Sequence, residues 1–173
     1  MSAKEARCVE RETTCCFTGH RENKLPWRGN EADARCIALK KNIGLAVERA
    51  YLAGMRHFIS GMATGSDLYF AEAVLALREK LPDITLEAAI PWSGQADGWT
   101  EEQKQRYNAV REQCDYETIV SAHYTPDCLK RRNEYMVDHS ALVIAAYSGA
   151  SGGTRNTMLY AMRHGVELYE IEL

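Results

Sequence analysis

Apolar positions along the chain switch between the two-residue step of a strand and the three-to-four-residue step of a helix. Positions 13–18 read as a first strand, in which the adjacent Cys15 and Cys16 point to opposite faces. After a polar loop, Asn30 is expected to cap a helix. Glu31 and Asp33 then fall in its first turn, where negative charge meets the positive end of the dipole. Ile37, Leu39, Ile43, Ala46, Val47, Ala50 and Tyr51 carry that helix to Gly54, a C′ residue. Positions 57–60 form a second strand, and Ser66 or Asp67 starts a helix through Leu68, Ala71, Leu75 and Arg78 that Pro82 terminates. Ile84, Leu86, Ala88 and Ile90 alternate as a third strand, and Thr100 with Gln103 has capping-box spacing for a helix to Cys114. Positions 116–121 are a fourth strand. Thr125, Pro126 and Asp127 stand in the order of cap, first-turn proline and acid before a helix carrying Leu129, Arg132 and Met136. Positions 141–147 are apolar almost throughout, as in a strand buried on both faces, and a helix over 154–164 precedes a final edge strand.

This alternation predicts an α/β fold with a mainly parallel sheet of about six strands, covered by helices on both faces. Connections from helix to strand are short, whereas those from strand to helix are longer and polar or glycine-rich. In a parallel sheet all of the second kind emerge at the carboxyl edge, where open α/β folds bind ligands. That edge is the expected site.

The 173 residues suit one domain, read as a tail over 1–12 and a single domain over 13–173. With 46 % hydrophobic and 26 % charged residues, the composition excludes disordered, collagen-like and coiled-coil chains. No apolar run approaches the ~18 residues of a membrane span, and the start lacks the pattern of a secretory signal, so the expected location is the cytoplasm. Twenty-one basic against 24 acidic residues give a net charge of −3, which makes nucleic acid a disfavoured partner. The six cysteines form no C-x-x-C pair and read as reduced structural thiols, and no cluster has metal-ligand spacing.

Two carboxyl-edge loops have the chemistry of phosphate cradles. Gly61, Met62, Ala63, Gly65 and Asp67 lie in a turn that opens a helix, and Gly152, Gly153 and Thr154 do the same after the most buried strand. Neither is a phosphate-loop motif with lysine, and the first loop, with Gly19 its only glycine before Gly29, lacks the dinucleotide fingerprint. Arg21 and Arg132 either clamp an anion or lie on the surface. His20 and His123 serve proton transfer or only hydrogen-bond their loops. Asp67 binds a ribose hydroxyl or caps its helix, and Trp92, Trp99 and Tyr147 stack a base or merely pack.

Cys16-Phe17-Thr18-Gly19-His20-Arg21, Phe58-Ile59-Ser60-Gly61-Met62-Ala63 with Gly65 and Asp67, Ile90-Pro91-Trp92, Arg132-Asn133 with Met136, and Gly152-Gly153-Thr154 together resemble the YpsA-type proteins of the SLOG superfamily. The resemblance implies a Rossmann-like three-layer sandwich and a pocket for a nucleotide-derived ligand such as ADP-ribose, NAD or AMP. Ligand-binding candidates are Gly19, His20, Arg21, Gly61, Met62, Ala63, Gly65, Asp67, Arg132, Asn133, Gly152, Gly153 and Thr154. The superfamily also holds LOG-type phosphoribohydrolases, whose arginine and methionine are matched here by Arg132 and Met136. Where those enzymes carry a glutamate, this chain has Arg155, Asn156 and Thr157, so Glu22, Asp67 or Asp97 would have to supply the carboxylate that N-glycosidic hydrolysis requires. DNA-binding DprA relatives are disfavoured by the net charge. The expected function is nucleotide-ligand binding in a sensor or carrier role, with N-glycosidic hydrolysis and a protein-interaction scaffold as alternatives, and with assembly into a homo-oligomer left open.

Overall fold

The structure is a computed structural model that describes residues 9–173. Most of the expected tail, and Cys8, lie outside those residues. The elements follow in strict alternation: β1 (Thr14–Gly19), α1 (Ala34–Leu52), β2 (His57–Ser60), α2 (Ser66–Lys80), β3 (Thr85–Trp92), α3 (Glu101–Gln113), β4 (Tyr116–Ser121), α4 (Cys128–Asp138), β5 (Leu142–Tyr147), α5 (Gly153–Arg163) and β6 (Glu167–Glu172). Among the described residues all six strands are parallel, in the order β4-β3-β2-β1-β5-β6. The chain builds outward from β1 to β4, then crosses to the other side of β1 to lay down β5 and β6. The switch point therefore lies between the carboxyl ends of β1 and β5.

Alternation along the strands divides the interior into two unequal layers. Cys15, Phe17, Phe58, Leu86 and Ile144 pack against α1, α2 and α3, with Phe17 stacked on Phe70 at 4.9 Å. Cys16, Ile59, Ala89 and Val143 pack against Met136, Val137 and Ala161 of α4 and α5. Cys15 and Cys16 do face opposite sides, and both are fully buried free thiols.

Three local expectations are corrected. Asp33, not Asn30, caps α1: its carboxylate accepts the Arg35 amide at 2.8 Å, while Asn30 closes a preceding turn through its carbonyl. α4 begins at Cys128, later than the Thr-Pro-Asp order suggests: Asp127 stands at the cap position without a side-chain cap hydrogen bond, and the Thr125 hydroxyl donates to its carboxylate. Ile37, placed on the apolar stripe of α1, is 58 % exposed. The capping box of Thr100 and Gln103 forms as expected. Among the described residues, no helix is long and apolar enough to cross a membrane.

Candidate functional site

Two carboxyl-edge loops are fastened together before any cavity is formed. Gly65 has φ +90°, in the left-handed region that favours glycine, and pairs with Arg21 in an isolated antiparallel bridge. A Cβ there would lie 2.5 Å from the Glu22 amide nitrogen. The Glu22 amide donates to the Thr64 carbonyl at 3.1 Å, and the Ser66 hydroxyl donates to the His20 carbonyl at 2.7 Å. Gly19 is needed for the same approach, since a Cβ on it would meet Ser66 Oγ at 2.3 Å. Between the loops, Met62 is fully buried at φ +58°, a conformation that stores strain in a residue with a side chain.

This fastening corrects one expectation. Three amides of the 61–67 turn are not free for a ligand, because they already have acceptors. Met62 N–H donates to Ser60 Oγ at 3.2 Å, Ala63 N–H to the Asp67 carboxylate at 3.2 Å, and Ser66 N–H to the His20 carbonyl at 3.2 Å. The turn supplies walls and a carboxylate. The N-terminus of α5 differs: Gly152 caps it with φ +143°, and no side chain accepts from its first amides, which a helix leaves without internal partners.

Between these loops lies a cavity of about 300 Å³ at the switch point. Of the candidate residues, Gly19, His20, Arg21, Ala63, Asp67, Arg132, Asn133, Gly152, Gly153 and Thr154 line it. Gly61, Met62 and Gly65 stand behind the wall, Tyr147 is 6.5 Å from the His20 ring, and His123 is exposed outside the cavity.

Arg132 is 3 % exposed, settling the choice between surface and site in favour of the interior. Its Nη1 donates to the carbonyls of Gly61 and, at 3.3 Å, Ala89, and its Nε donates to Asn133 Oδ1 at 2.9 Å. Gly61 is tight against it: a Cβ there would lie 2.7 Å from Nη1 and 2.9 Å from Asp67 Oδ2. Burial pushes the Asp67 carboxyl up from its ordinary range, against the opposing pull of Arg132, the Ala63 amide and Arg21. Burial likewise lowers Arg132, with Asp67 opposing. His20 shares a 2.8 Å hydrogen bond between Nε2 and the Ser148 hydroxyl, and burial, with Lys24 nearby, lowers its affinity for a proton.

Lys24 is the residue that sequence reasoning missed. It lies in a polar loop with no periodicity to mark it, yet it lines the cavity, and its Nζ lies 3.3 Å from where a Cβ on Gly152 would be. A cation beside the positive end of a helix is unfavourable unless an anion joins them. Arg21, Lys24 and Arg132 face one carboxylate, Asp67, so the wall carries excess positive charge. Glu22 and Asp97 are not in the lining; Glu22 accepts from Gln103 at 3.3 Å instead.

A parallel sheet with its cavity at the switch point and a glycine-capped helix facing it defines the chain as a Rossmann-like protein. The chain belongs to the YpsA family, the YspA SLOG family, whose model matches residues 15–173. It is 35 % identical over 118 residues to the SPbeta prophage-derived protein YoqJ of Bacillus subtilis, covering 61 % of this chain and 69 % of that one. It is 32 % identical over 103 residues to the UPF0398 protein YpsA of the same organism, covering 58 % and 57 %. Among solved structures it is similar to DNA processing protein A from Streptococcus pneumoniae, with a TM-score of 0.62 at 14 % identity over 92 % of this chain. The Helicobacter pylori protein of the same name, solved for its single-stranded DNA binding mode, gives 0.60 at 14 % over 92 %. This chain spans 50 % of the first of these and 65 % of the second. These neighbours correct the disfavouring of nucleic acid: a protein of this fold binds single-stranded DNA, and net charge describes the whole surface rather than one basic rim.

Proposed function

We propose that the chain binds a phosphorylated, nucleotide-type ligand at the carboxyl edge of its sheet. The phosphate would rest on the first amides of α5, with Arg21, Lys24 and Arg132 as counter-charge, in a sensor or carrier role. The observation that carries this is Lys24 placed beside the N-terminus of α5, whose glycine cap offers its first amides no side-chain acceptor, since both favour the same anion. ADP-ribose, NAD and AMP share that phosphate chemistry, as does the backbone of a single DNA strand, which brings the likeness to the Helicobacter protein within the same reading.

Calorimetry with ribose 5-phosphate, AMP, ADP-ribose, NAD and a single-stranded oligonucleotide tests the proposal, with Gly153→Asp as the variant. A Cβ at Gly153 meets nothing within 4 Å, so the substitution adds negative charge where the anion would sit without disturbing packing. Binding should fall by at least about tenfold, the loss of one charge-assisted contact. Unchanged affinity, or no binding across the panel, would overturn the proposal.

A second reading, hydrolysis of the N-glycosidic bond of a nucleoside monophosphate, rests on Asp67, the carboxylate that lines the cavity. Burial raises its affinity for a proton, the direction a general acid needs. Release of free base from AMP, abolished in Asp67→Asn, would support it, and intact AMP after prolonged incubation would exclude it.

A further inference from the structure

Beside the phosphate cavity, and sharing Arg21, Ala63 and Leu129 with it, runs a cleft completed by Thr64, Trp92, Gln95 and Trp99. Gln95 is 7 % exposed. Its Nε2 donates to the Gly61 carbonyl at 3.1 Å, and because that partner can only accept, the amide orientation is fixed. Its Oε1 is consequently committed to the other side, where it is buried without a hydrogen-bond partner. An orphaned buried acceptor has given up its water without compensation and calls for a donor from outside the chain. Trp92 and Trp99 supply aromatic surface on the same wall. Trp92 meets Tyr124 edge-on at 5.2 Å and 73°, and Trp99 meets Tyr107 edge-on at 5.3 Å and 82°.

Resting on the proposed phosphate site, we infer that this cleft is a nucleobase subsite that selects a base carrying an exocyclic amino group. The cleft has a volume of about 60 Å³, so Trp92 and Trp99 must part to admit the base edge, whose amino N–H then donates to Gln95 Oε1. Arg21 lies at the junction, so ribose and phosphate lead from it into the neighbouring cavity. The Gly61 carbonyl accepts from both Gln95 and Arg132, tying the base-reading group and the phosphate-facing guanidinium to one atom. Adenine satisfies the acceptor. Hypoxanthine, with a carbonyl oxygen at the same ring position, sets acceptor against acceptor and is rejected.

The experiment is calorimetry of the full chain with ribose 5-phosphate, AMP and IMP. AMP should bind more tightly than IMP by at least about fivefold, the lower range for an unpaired buried acceptor. Gln95→Met should bring that ratio close to one while leaving ribose 5-phosphate affinity intact, which also reports that the variant is folded. Trp92→Leu should weaken AMP without affecting ribose 5-phosphate. Equal wild-type affinity for AMP and IMP, with ribose 5-phosphate still bound, would overturn the subsite alone and assign the orphaned acceptor to a water. Failure of all three ligands to bind would remove the phosphate reading, and the subsite with it.

Discussion

Replacing Lys24 by alanine should make the ligand-free protein more stable and the liganded protein less so. Lys24 sits beside the partial positive charge of the α5 N-terminus, which its glycine cap leaves without a side-chain acceptor, with Arg21 and Arg132 lining the same cavity. A charge of the wrong sign in the first turn of an exposed helix end is unfavourable by about 0.3–1 kcal/mol, and exposure of Lys24 keeps the effect near the lower value. For a chain of this size that corresponds to a rise in Tm of roughly 1–4 °C without ligand. With a bound phosphate the sign inverts, because the ammonium then contributes a charge-assisted contact of about 1.5–3 kcal/mol. The assay is thermal unfolding at fixed low ionic strength, with and without ribose 5-phosphate. At a ligand concentration about a hundredfold above Kd, the wild type should gain about 2.7 kcal/mol of stability, and Lys24→Ala distinctly less at the same concentration. If Lys24→Ala lowers the ligand-free Tm, or gains as much from ligand as the wild type, the electrostatic account of this cavity is wrong.

Gly65→Ala should destabilise the fold by several kcal/mol in denaturant unfolding, since it combines a left-handed φ with a Cβ 2.5 Å from the Glu22 nitrogen; a change below about 1 kcal/mol would show that the two loops separate freely. Glu87 is pushed up by burial but pulled below the ordinary carboxylate range by hydrogen bonds from His57, Tyr135 and Thr118. A lowered native pKa means the stabilisation is complete above the unfolded value of about 4.3 and is lost as pH falls through the native one, so Glu87→Gln should flatten acid unfolding below about pH 5. An acid limb of unchanged slope would contradict this. Cys15 and Cys16 are pushed up by burial, Cys16 to about 12, so mass spectrometry should find both unmodified by a thiol reagent until the protein unfolds. Rapid native labelling of either would refute that protection.

The order of elements was legible because strand and helix periods rarely overlap here: the boundaries of 57–60 and 116–121 coincide with β2 and β4. Local hydrogen-bond competition hid the caps, since Asn30 against Asp33, or Thr125 against Asp127, is decided by a few ångströms of turn geometry. At the site, glycine at Gly19, Gly61 and Gly65 betrayed close approaches that a side chain would block. What those approaches were for was not legible: the 61–67 turn reads as a cradle, yet the amides of Met62, Ala63 and Ser66 close on Ser60, Asp67 and His20. Lys24 and Gln95 matter through contacts with Gly152 and Gly61, which lie 128 and 34 positions away in the chain and leave no periodic trace.

The two hydrophobic layers differ in thickness, with thirty of the described residues buried in the cluster on the α1–α3 side and eight in the one on the α4–α5 side. The thinner layer is the one that carries Arg132 and the Gly152 turn, so local opening should begin there and dismantle one half of the cavity while the loops fastened by Gly65 stay in place. An anion bridging the halves would then act as a rivet between a rigid slab and a looser one, and occupancy would be written in the amide exchange of α4 and α5 well before it altered the sheet.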